Sequence, residues 1–371
     1  MAEGDWDGKT VWDVVVLGGG PAGAAAASHC ARHGLETLLI ERKRLPRDKV
    51  CTGMLMGPWA HDVIGSEFGS VPDDILVAPK YLTGHQIHVA GTTPVAFPWR
   101  TPLAWRKDLD GWLVEKAMAR GARLWQGARV LSVAEDSETY RLRVARGRET
   151  RVSLSARFLI GAEGAASPLR KTLFPELKVR YSTPLRECYE GSLALDADYI
   201  HWFFPKQRPR PRFNVNHKGD AFVIEGSGIP ELRPDILRTL SEYGFSAAHT
   251  PQLRDGCLIA LLHAELTSGR FRPARGNAML VGDAGGLILP ITFEGIGTAL
   301  YSGRLAGEAI LAAIATNRSA AELYLKELPP VIHTIDRLVK LEAGVSQSAE
   351  RGPAALAEAL CSAYQETAVV G

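Results

Sequence analysis

The order of apolar and polar positions predicts a βαβ unit near the start of the chain. Val11–Leu17 is a Val-rich run without polar alternation, as in a buried parallel strand. Residues 24–33 are small and helix-forming and end at Gly34, and residues 37–40 form a second apolar run. Strand, helix and strand fit within about 30 residues, the usual size of this unit.

The rest of the chain predicts a region rich in strands and then a helical end. Residues 42–101, rich in Pro and Gly, predict irregular structure, whereas residues 106–120 have helical spacing. Short apolar or alternating runs predict strands at 122–133, 140–145, 151–154, 156–160, 192–195, 200–204, 213–216, 221–225 and 277–281. The strands between about 179 and 262 are separated by turns and are expected to form an antiparallel sheet. Helices are predicted at 295–313 and, around the break at Pro329 and Pro330, from 320 to 364.

Composition and charge argue against several classes of function but do not identify one. The chain has 371 residues, more than one hydrophobic core usually supports, so two packed domains are expected. A formal net charge of +2 gives no reason to expect nucleic acid as a partner. The five cysteines are odd in number and form no C-x-x-C pair, so we expect no metal site and a reducing, cytoplasmic location. Residues 1–10 are polar rather than a cationic leader, and no apolar stretch reaches the ~20 residues that span a bilayer, so membrane association would be peripheral.

The turn after the first strand carries a dinucleotide-binding motif. Residues 18–23, GGGPAG, form a G-x-G-x-x-G that opens a helix. Gly18 permits the tight turn, Gly20 lets a pyrophosphate approach the backbone, and Gly23 lets helix and strand pack closely. Glu41 ends the second strand, where an acid accepts hydrogen bonds from ribose hydroxyls.

Two later strand-and-turn segments indicate FAD rather than NAD. Residues 159–170 read LIGAEGAASPLR, and residues 278–286 read AMLVGDAGG. The second places Asp283 at the carboxyl end of its strand, where open α/β sheets contact their ligands. No second G-x-G-x-x-G in a βαβ context and no C-x-x-x-x-C occur, which argues against a disulfide reductase with two nucleotide domains.

These segments resemble those of the FAD-dependent hydroxylases and reductases typified by p-hydroxybenzoate hydroxylase, and within them the geranylgeranyl reductase family. Residues 47–53, RDKVCTG, are similar to that family's R-x-K-x-C-G-G segment beside the flavin. Residues 282–296 resemble its G-D-A-x-G…P-x-T-x-E-G-I segment, and residues 202–206, WFFPK, resemble its W-x-F-P-K strand. The resemblance covers roughly residues 11–315. It implies an α/β fold, in which a Rossmann-like FAD-binding domain carries a substrate domain built on an antiparallel sheet.

The resemblance also implies discontinuous domains. The FAD-binding domain would comprise residues 11–53, 104–178 and 270–315. The substrate domain would comprise residues 54–103 and 179–269, and residues 316–371 would form a C-terminal helical segment.

The same resemblance implies individual contacts to FAD. Glu41 would bind the adenosine ribose, Val130 would lie near the adenine, and Arg106 near the flavin or its ribityl chain. Asp283 would bind the ribityl hydroxyls. Backbone N–H groups at the start of the 295–313 helix would face the flavin N1/O2 edge, because a helix N-terminus stabilises an anion. The full set of expected cofactor contacts is Gly18, Gly20, Ala22, Gly23, Glu41, Arg42, Arg106, Val130, Glu163, Gly164, Gly282, Asp283, Gly295, Ile296 and Gly297.

Three positions depart from the family pattern. Glu163 stands where the family has Asp, which leaves the electron donor open between NADPH and a reduced protein carrier. Phe293 stands where Gly is frequent, which narrows the space over the flavin ring. Tyr199 lies three residues before Trp202 rather than two, so strand alternation places the two side chains on opposite faces.

Substrate and catalytic residues are assigned as hypotheses. An apolar slot is expected from Trp202, Phe204, Pro290 and Phe293. Cys51 is the first candidate for a catalytic group at the substrate face of the flavin, as a barrier to access or a proton relay. Tyr199 and His201 are the next candidates.

The favoured function is an FAD-dependent oxidoreductase that reduces carbon–carbon double bonds of an isoprenoid or another apolar substrate. Reduced flavin would deliver hydride, and a nearby acid would supply the proton. The alternatives are a flavin-dependent aromatic hydroxylase or monooxygenase and, from a different class, a non-catalytic prenyl-binding protein. The oligomeric state is left open.

Overall fold

The computed structural model describes residues 10–136, 139–147 and 150–370. The prediction that the chain begins without a leader falls almost wholly on residues 1–9, which lie outside this range. The strands are β1 Val11–Leu17, β2 Thr37–Glu41, β3 Leu76–Val89, β4 Val95–Ala104, β5 Arg123–Gln126, β6 Ala128–Asp136, β7 Thr139–Arg146, β8 Thr150–Gly161, β9 Arg180–Ser182, β10 Pro184–Glu190, β11 Tyr199–Phe204, β12 Phe213–Lys218, β13 Ala221–Ser227, β14 Leu253–Gly256, β15 Ile259–Leu261, β16 Ala274–Arg275 and β17 Ala278–Leu280.

The helices complete the α/β architecture. They are α1 Pro21–Arg32, α2 Gly57–Val63, α3 Arg106–Ala119, α4 Pro168–Leu173, α5 Ile229–Leu240, α6 His263–Thr267, α7 Ile296–Thr316, α8 Ala320–Glu327, α9 Pro329–Ser348 and α10 Pro353–Val370. A π-helical turn, Ile64–Phe68, continues α2.

The first sheet is Rossmann-like. Its strands follow the order β16-β17-β8-β1-β2-β5, and the pairs from β17 to β5 are parallel. The predicted βαβ unit is confirmed: Val15 of β1 lies between Leu38 of β2 and Leu159 of β8, and all three are buried. These apolar runs do not alternate because helices and the rest of the core cover both faces. β6 and β7 extend β8 as an antiparallel ribbon.

The second sheet has the order β14-β10-β13-β12-β11-β3-β4. Its pairs are antiparallel except β11 with β3, so the expected antiparallel sheet is confirmed in the main. One face packs on α5 to form a second core, whose members are Tyr189, Leu193, Phe203, Phe213, Val215, Phe222, Ile224, Ile229, Leu232, Ile236, Leu240 and Phe245. The other face looks toward the first sheet.

Four element predictions differ from the structure. Residues 122–133 form two strands, β5 and β6, rather than one. Residues 42–101 are not irregular, since they contain α2 and the long strands β3 and β4. Residues 192–195 form no strand; the strand in this region is β10, and Leu193 instead contributes an apolar side chain to the second core. Residues 151–160 do not make two strands but one, β8, whose first part pairs with β7 and whose last part pairs with β1.

The C-terminal helices are confirmed, and the break at Pro329 separates α8 from α9. α10 packs against β3 and β4 at the edge of the second sheet. Tyr364 of α10 is fully buried, with its ring edge-on to Trp202 of β11 at 4.8 Å. No helix in the described ranges combines the length and apolarity that a membrane crossing requires.

Candidate active site

A cavity of about 1260 Å³ lies between the two sheets. Its walls come from the β1–α1 turn, the ends of β2 and β17, the start of α3 and the inner face of the second sheet. The volume exceeds the ~300–1,000 Å³ of ordinary small-molecule pockets, so it can hold a dinucleotide together with a further ligand.

Glycines shape the phosphate end of the cavity. Gly18 has φ +105°, and a Cβ there would lie 2.4 Å from the carbonyl oxygen of Ala162. A Cβ at Gly23 would lie 1.8 Å from the carbonyl oxygen of Gly18. A Cβ at Gly20 would meet only Arg47, at 3.8 Å, so Gly18 and Gly23 are required by the fold whereas Gly20 is not. The space over Gly20 at the start of α1 is free for a ligand, and a helix N-terminus favours a phosphate there.

Glu41 stands at the carboxyl end of β2 and lines the same cavity. One of its oxygens accepts a hydrogen bond from the backbone N–H of Gly19 at 2.9 Å, and the other from Lys43 at 2.9 Å. Arg47 lies 3.4 Å from Glu41 and forms an ion pair with Asp110 at 2.8 Å. The acid is thereby fixed beside the glycine turn.

Arg106, at the start of α3, is a buried cation on the cavity wall. Its guanidinium donates two hydrogen bonds to Asp110, at 2.8 and 3.0 Å. Burial by itself lowers the pKa of Arg106, but Asp110 and the neighbouring Cys51 thiol raise it above its ordinary value. Cys51 also lines the cavity, and its Sγ accepts a hydrogen bond from the backbone N–H of Gly53 at 3.3 Å.

Other expected cofactor contacts also meet at this cavity. Glu163 lines it, but its carboxylate accepts hydrogen bonds from Ser167 Oγ at 2.7 Å and from the N–H of Leu169 at 3.1 Å, so it also stabilises its own loop. Burial raises the pKa of Glu163. Further expected contacts that line the cavity are Ala22, Arg42, Val130, Gly164, Gly282, Asp283, Gly295 and Ile296.

The N-terminus of α7 differs from the expectation. The backbone N–H groups of Ile296 and Gly297 already donate to Glu294 Oε1, at 2.8 and 3.1 Å. Glu294 lines the cavity and is 7% exposed, and burial raises its pKa to about 7 despite those hydrogen bonds and nearby Arg106. These N–H groups are therefore not free to meet a flavin edge unless Glu294 moves. The signal for this cap was the acid two residues before the first helical residue, where a carboxylate is stabilised by the N–H groups of the first turn.

The expected apolar slot is only partly assembled. Trp202 and Phe293 line the cavity, and Trp202 Nε1 donates a hydrogen bond to His85 Nδ1 at 3.3 Å. Phe204 is buried instead in the larger hydrophobic core, which also includes the first sheet and Tyr364 of α10. Pro290 is buried as well and is not part of the wall.

Tyr199 and His201 are not brought to the cavity, which corrects their assignment as catalytic candidates. His201 is buried on the opposite face of β11, where its ring nitrogens lie 3.1 Å from His88 and 2.9 Å from the carbonyl oxygen of Asp196. Strand alternation explains this, because the residues on either side of Trp202 must face away from it. Tyr199 packs over Gly84 of β3.

Within the described ranges, no group of three or more His, Cys, Asp or Glu side chains is placed to hold a metal ion. The ionisable side chains that line the cavity include Cys51, Arg106 and Glu294.

Comparison with known proteins agrees with this geometry. The family model described as FAD dependent oxidoreductase matches residues 13–170. A chloroplastic geranylgeranyl diphosphate reductase from rice (Oryza sativa) is 29% identical over 350 residues, which cover 83% of this chain and 68% of that protein. A menaquinone reductase from Mycobacterium tuberculosis is 31% identical over 326 residues, covering 80% of this chain and 76% of that protein. The chain belongs to the geranylgeranyl reductase family of FAD-dependent oxidoreductases.

Solved structures show the fold of the family. A geranylgeranyl bacteriochlorophyll reductase-like protein from Thermoplasma acidophilum superimposes with a TM-score of 0.73 at 20% identity, over 95% of this chain and 90% of that one. A myxobacterial chondrochloren halogenase, also FAD-dependent, gives 0.69 at 18% identity, over 89% and 82%.

Proposed function

We propose that this reductase-family member saturates carbon–carbon double bonds in an isoprenoid or another apolar substrate. The observation that supports it most is that one cavity runs from the glycine turn of the cofactor end to Trp202 on the second sheet. Relatives named for geranylgeranyl diphosphate and for menaquinone support the substrate class.

FAD fits the residues that line the cavity. Space over Gly20 and the open start of α1 suit the pyrophosphate, the acid Glu41 suits a ribose, and Asp283 suits the ribityl hydroxyls. Bound FAD supplies hydride transfer chemistry. We propose NADPH or a reduced protein carrier as the electron donor, and a cytoplasmic location.

Cys51 is the residue that we propose beside the reacting substrate. It lines the cavity next to Arg106, whose ion pair with Asp110 holds a fixed positive charge there. A thiol at this place would limit access to the flavin and hand a proton to the substrate. The buried side chains around it would exclude water and hold the alkene in one orientation.

Product analysis tests the reductase proposal. Anaerobically reduced FAD-loaded protein is mixed with an unsaturated isoprenoid, and the products are examined by mass spectrometry. A gain of two hydrogen atoms per saturated bond is expected. Incorporation of labelled oxygen in an aerobic run would assign the protein to the monooxygenases instead, and binding without any change would favour a prenyl-binding protein.

A further inference from the structure

The inner face of the second sheet carries a row of polar side chains. Trp202 of β11 lies opposite Asn214 of β12, and Asn214 lies opposite Glu225 of β13. Glu225 is opposite Arg186 of β10, and Arg186 is opposite Asp255 of β14. Directly opposed residues share one face of a sheet. We call Asn214, Glu225, Arg186 and Asp255 the polar row. Its first member, Asn214, lies directly beside the apolar Trp202.

Two members of the polar row have oxygen atoms without partners. Asn214 Oδ1 and Glu225 Oε1 are buried and accept no hydrogen bond. Asn214 is 7% exposed and Glu225 is 8% exposed, and both line the cavity. Leaving a buried acceptor unpaired is unfavourable, so two of them side by side call for a ligand that pairs with them.

The neighbouring cations are already committed to other partners. Arg186 donates two hydrogen bonds to Asp255, at 3.0 and 2.7 Å. Lys218 Nζ donates to the carbonyl oxygens of Thr52 at 2.8 Å and Ala104 at 3.0 Å. Burial raises the pKa of Glu225, an effect that these two cations oppose without pairing directly with its free oxygen. The polar row therefore presents the acceptors Asn214 and Glu225 to the cavity, whereas Arg186 and the nearby Lys218 do not line it.

Two further arginines, in the segment that leads into β12, also line the cavity. Arg212 donates to the carbonyl oxygen of Ile291 and lies 5.7 Å from the centre of the Phe293 ring. Arg210 pairs with Glu342 at 2.8 Å. These two cations could instead bind an anionic substrate group. The experiment must therefore distinguish an anionic group from a neutral hydrogen-bond donor.

We propose that Asn214 and Glu225 form the subsite for the polar end of the substrate, and that this end is a hydrogen-bond donor such as a hydroxyl group. The apolar chain of the same substrate lies along Trp202. The inference rests on the proposed function, because it assigns the two ends of an apolar substrate within the same cavity.

Three probes with one C20 chain test the subsite: geranylgeraniol, its methyl ether and geranylgeranyl phosphate. Binding to FAD-loaded protein is followed by the change in the flavin absorption spectrum. Wild type is expected to bind the alcohol at least about tenfold more tightly than the ether, which lacks the donor. Asn214→Leu and Glu225→Leu each remove an acceptor, so that preference should shrink in both.

Asn216→Leu is the matched control. Asn216 lies two residues along β12 and is fully buried with unpaired amide atoms, but it does not line the cavity, so its substitution should leave the preference intact. Equal affinity of wild type for alcohol and ether would overturn the subsite. Tightest binding of the phosphate, unchanged in both cavity variants, would overturn it in favour of Arg210 and Arg212. Failure of all three probes to bind would overturn the proposed function, and the subsite with it.

Discussion

Gly20 and Gly23 belong to one motif but have different roles, one in cofactor binding and one in folding. Gly20→Val is expected to abolish FAD binding yet leave the apoprotein folded, because a Cβ there meets only Arg47 at 3.8 Å and enters the space for the pyrophosphate. Gly23→Val is expected to prevent folding, because its Cβ would overlap the carbonyl oxygen of Gly18. FAD per chain by absorbance and circular dichroism of the apoprotein measure the two effects. Full FAD content in Gly20→Val would mean that the phosphate site lies elsewhere.

Cys51 should affect turnover rather than cofactor content. Cys51→Ser is expected to keep near-normal FAD binding and to slow reoxidation of the reduced flavin by substrate at least about tenfold, on the order of 1.4 kcal/mol of barrier. Stopped-flow absorbance measures this rate. Cys361→Ser, on α10 and outside the cavity wall, is the control for exchanging a thiol elsewhere. Unchanged reoxidation would leave Cys51 with a packing role only.

Glu294 makes stability depend on pH. Its pKa is about 7 in the folded protein against an ordinary 4.5, so the native state holds a proton that the unfolded state releases. Wild type therefore loses stability as pH rises from 4.5 to 7. Glu294→Gln stays neutral, so the variant should gain up to about 3 kcal/mol relative to wild type between pH 4.5 and 8. Denaturant unfolding of the apoprotein at several pH values measures this gain. Glu358→Gln, an exposed carboxyl on α10, is the control, and a pH-independent difference at Glu294 would contradict the assignment.

At the residue scale, the sequence allowed prediction of those site residues that belong to a motif with fixed local spacing. Gly18 and Gly23 are such residues, because strand, turn and helix follow one another directly. Glu225 and Asn214 gave no such signal. Their meeting depends on pairing between β12 and β13, and their facing a cavity depends on where the whole sheet packs.

At the element scale, the contact between α1 and α7 depends on a missing side chain. A Cβ at Gly303 of α7 would lie 2.2 Å from the carbonyl oxygen of Ala22 in α1. Gly303→Ala is expected to destabilise the protein by roughly 1–3 kcal/mol through overpacking. Gly344→Ala, in the open part of α9 with nothing within 4 Å, should instead stabilise it by roughly 0.5–1 kcal/mol. Denaturation midpoints measure both, and equal effects would show that α1 and α7 can separate without cost.

The elements that the sequence did not predict are stabilised by pairing with segments far away in the sequence. β3 contains Pro79 and Gly84 and buries the polar His85, so its pattern resembles a loop. It is a strand because it pairs with β4 on one side and with β11 on the other. α7, by contrast, was predictable, since its run of small and apolar residues suffices for a buried helix.

At the scale of the whole molecule, the second sheet separates two interiors. Ile224 lies in the second core, whereas its neighbour Glu225 lines the cavity. Ile224→Ala is expected to cost about 2–5 kcal/mol of stability while FAD content of the folded fraction stays unchanged. Calorimetry and absorbance on the same sample measure the two quantities. A parallel loss of FAD would show that the sheet transmits the defect.

That separation bears on how new specificities could arise. A substitution at an inner position of β12 or β13 alters the cavity lining without repacking the residues on the other face of the sheet. Mutations there can therefore change which substrates are accepted with little loss of stability. Asn214 and Glu225 differ from the other inner positions because their side chains are cross-strand neighbours. The effects of substitutions at these two positions are therefore not expected to add. Laboratory libraries that aim to change the accepted substrate should therefore vary these two codons jointly and the remaining inner positions one by one.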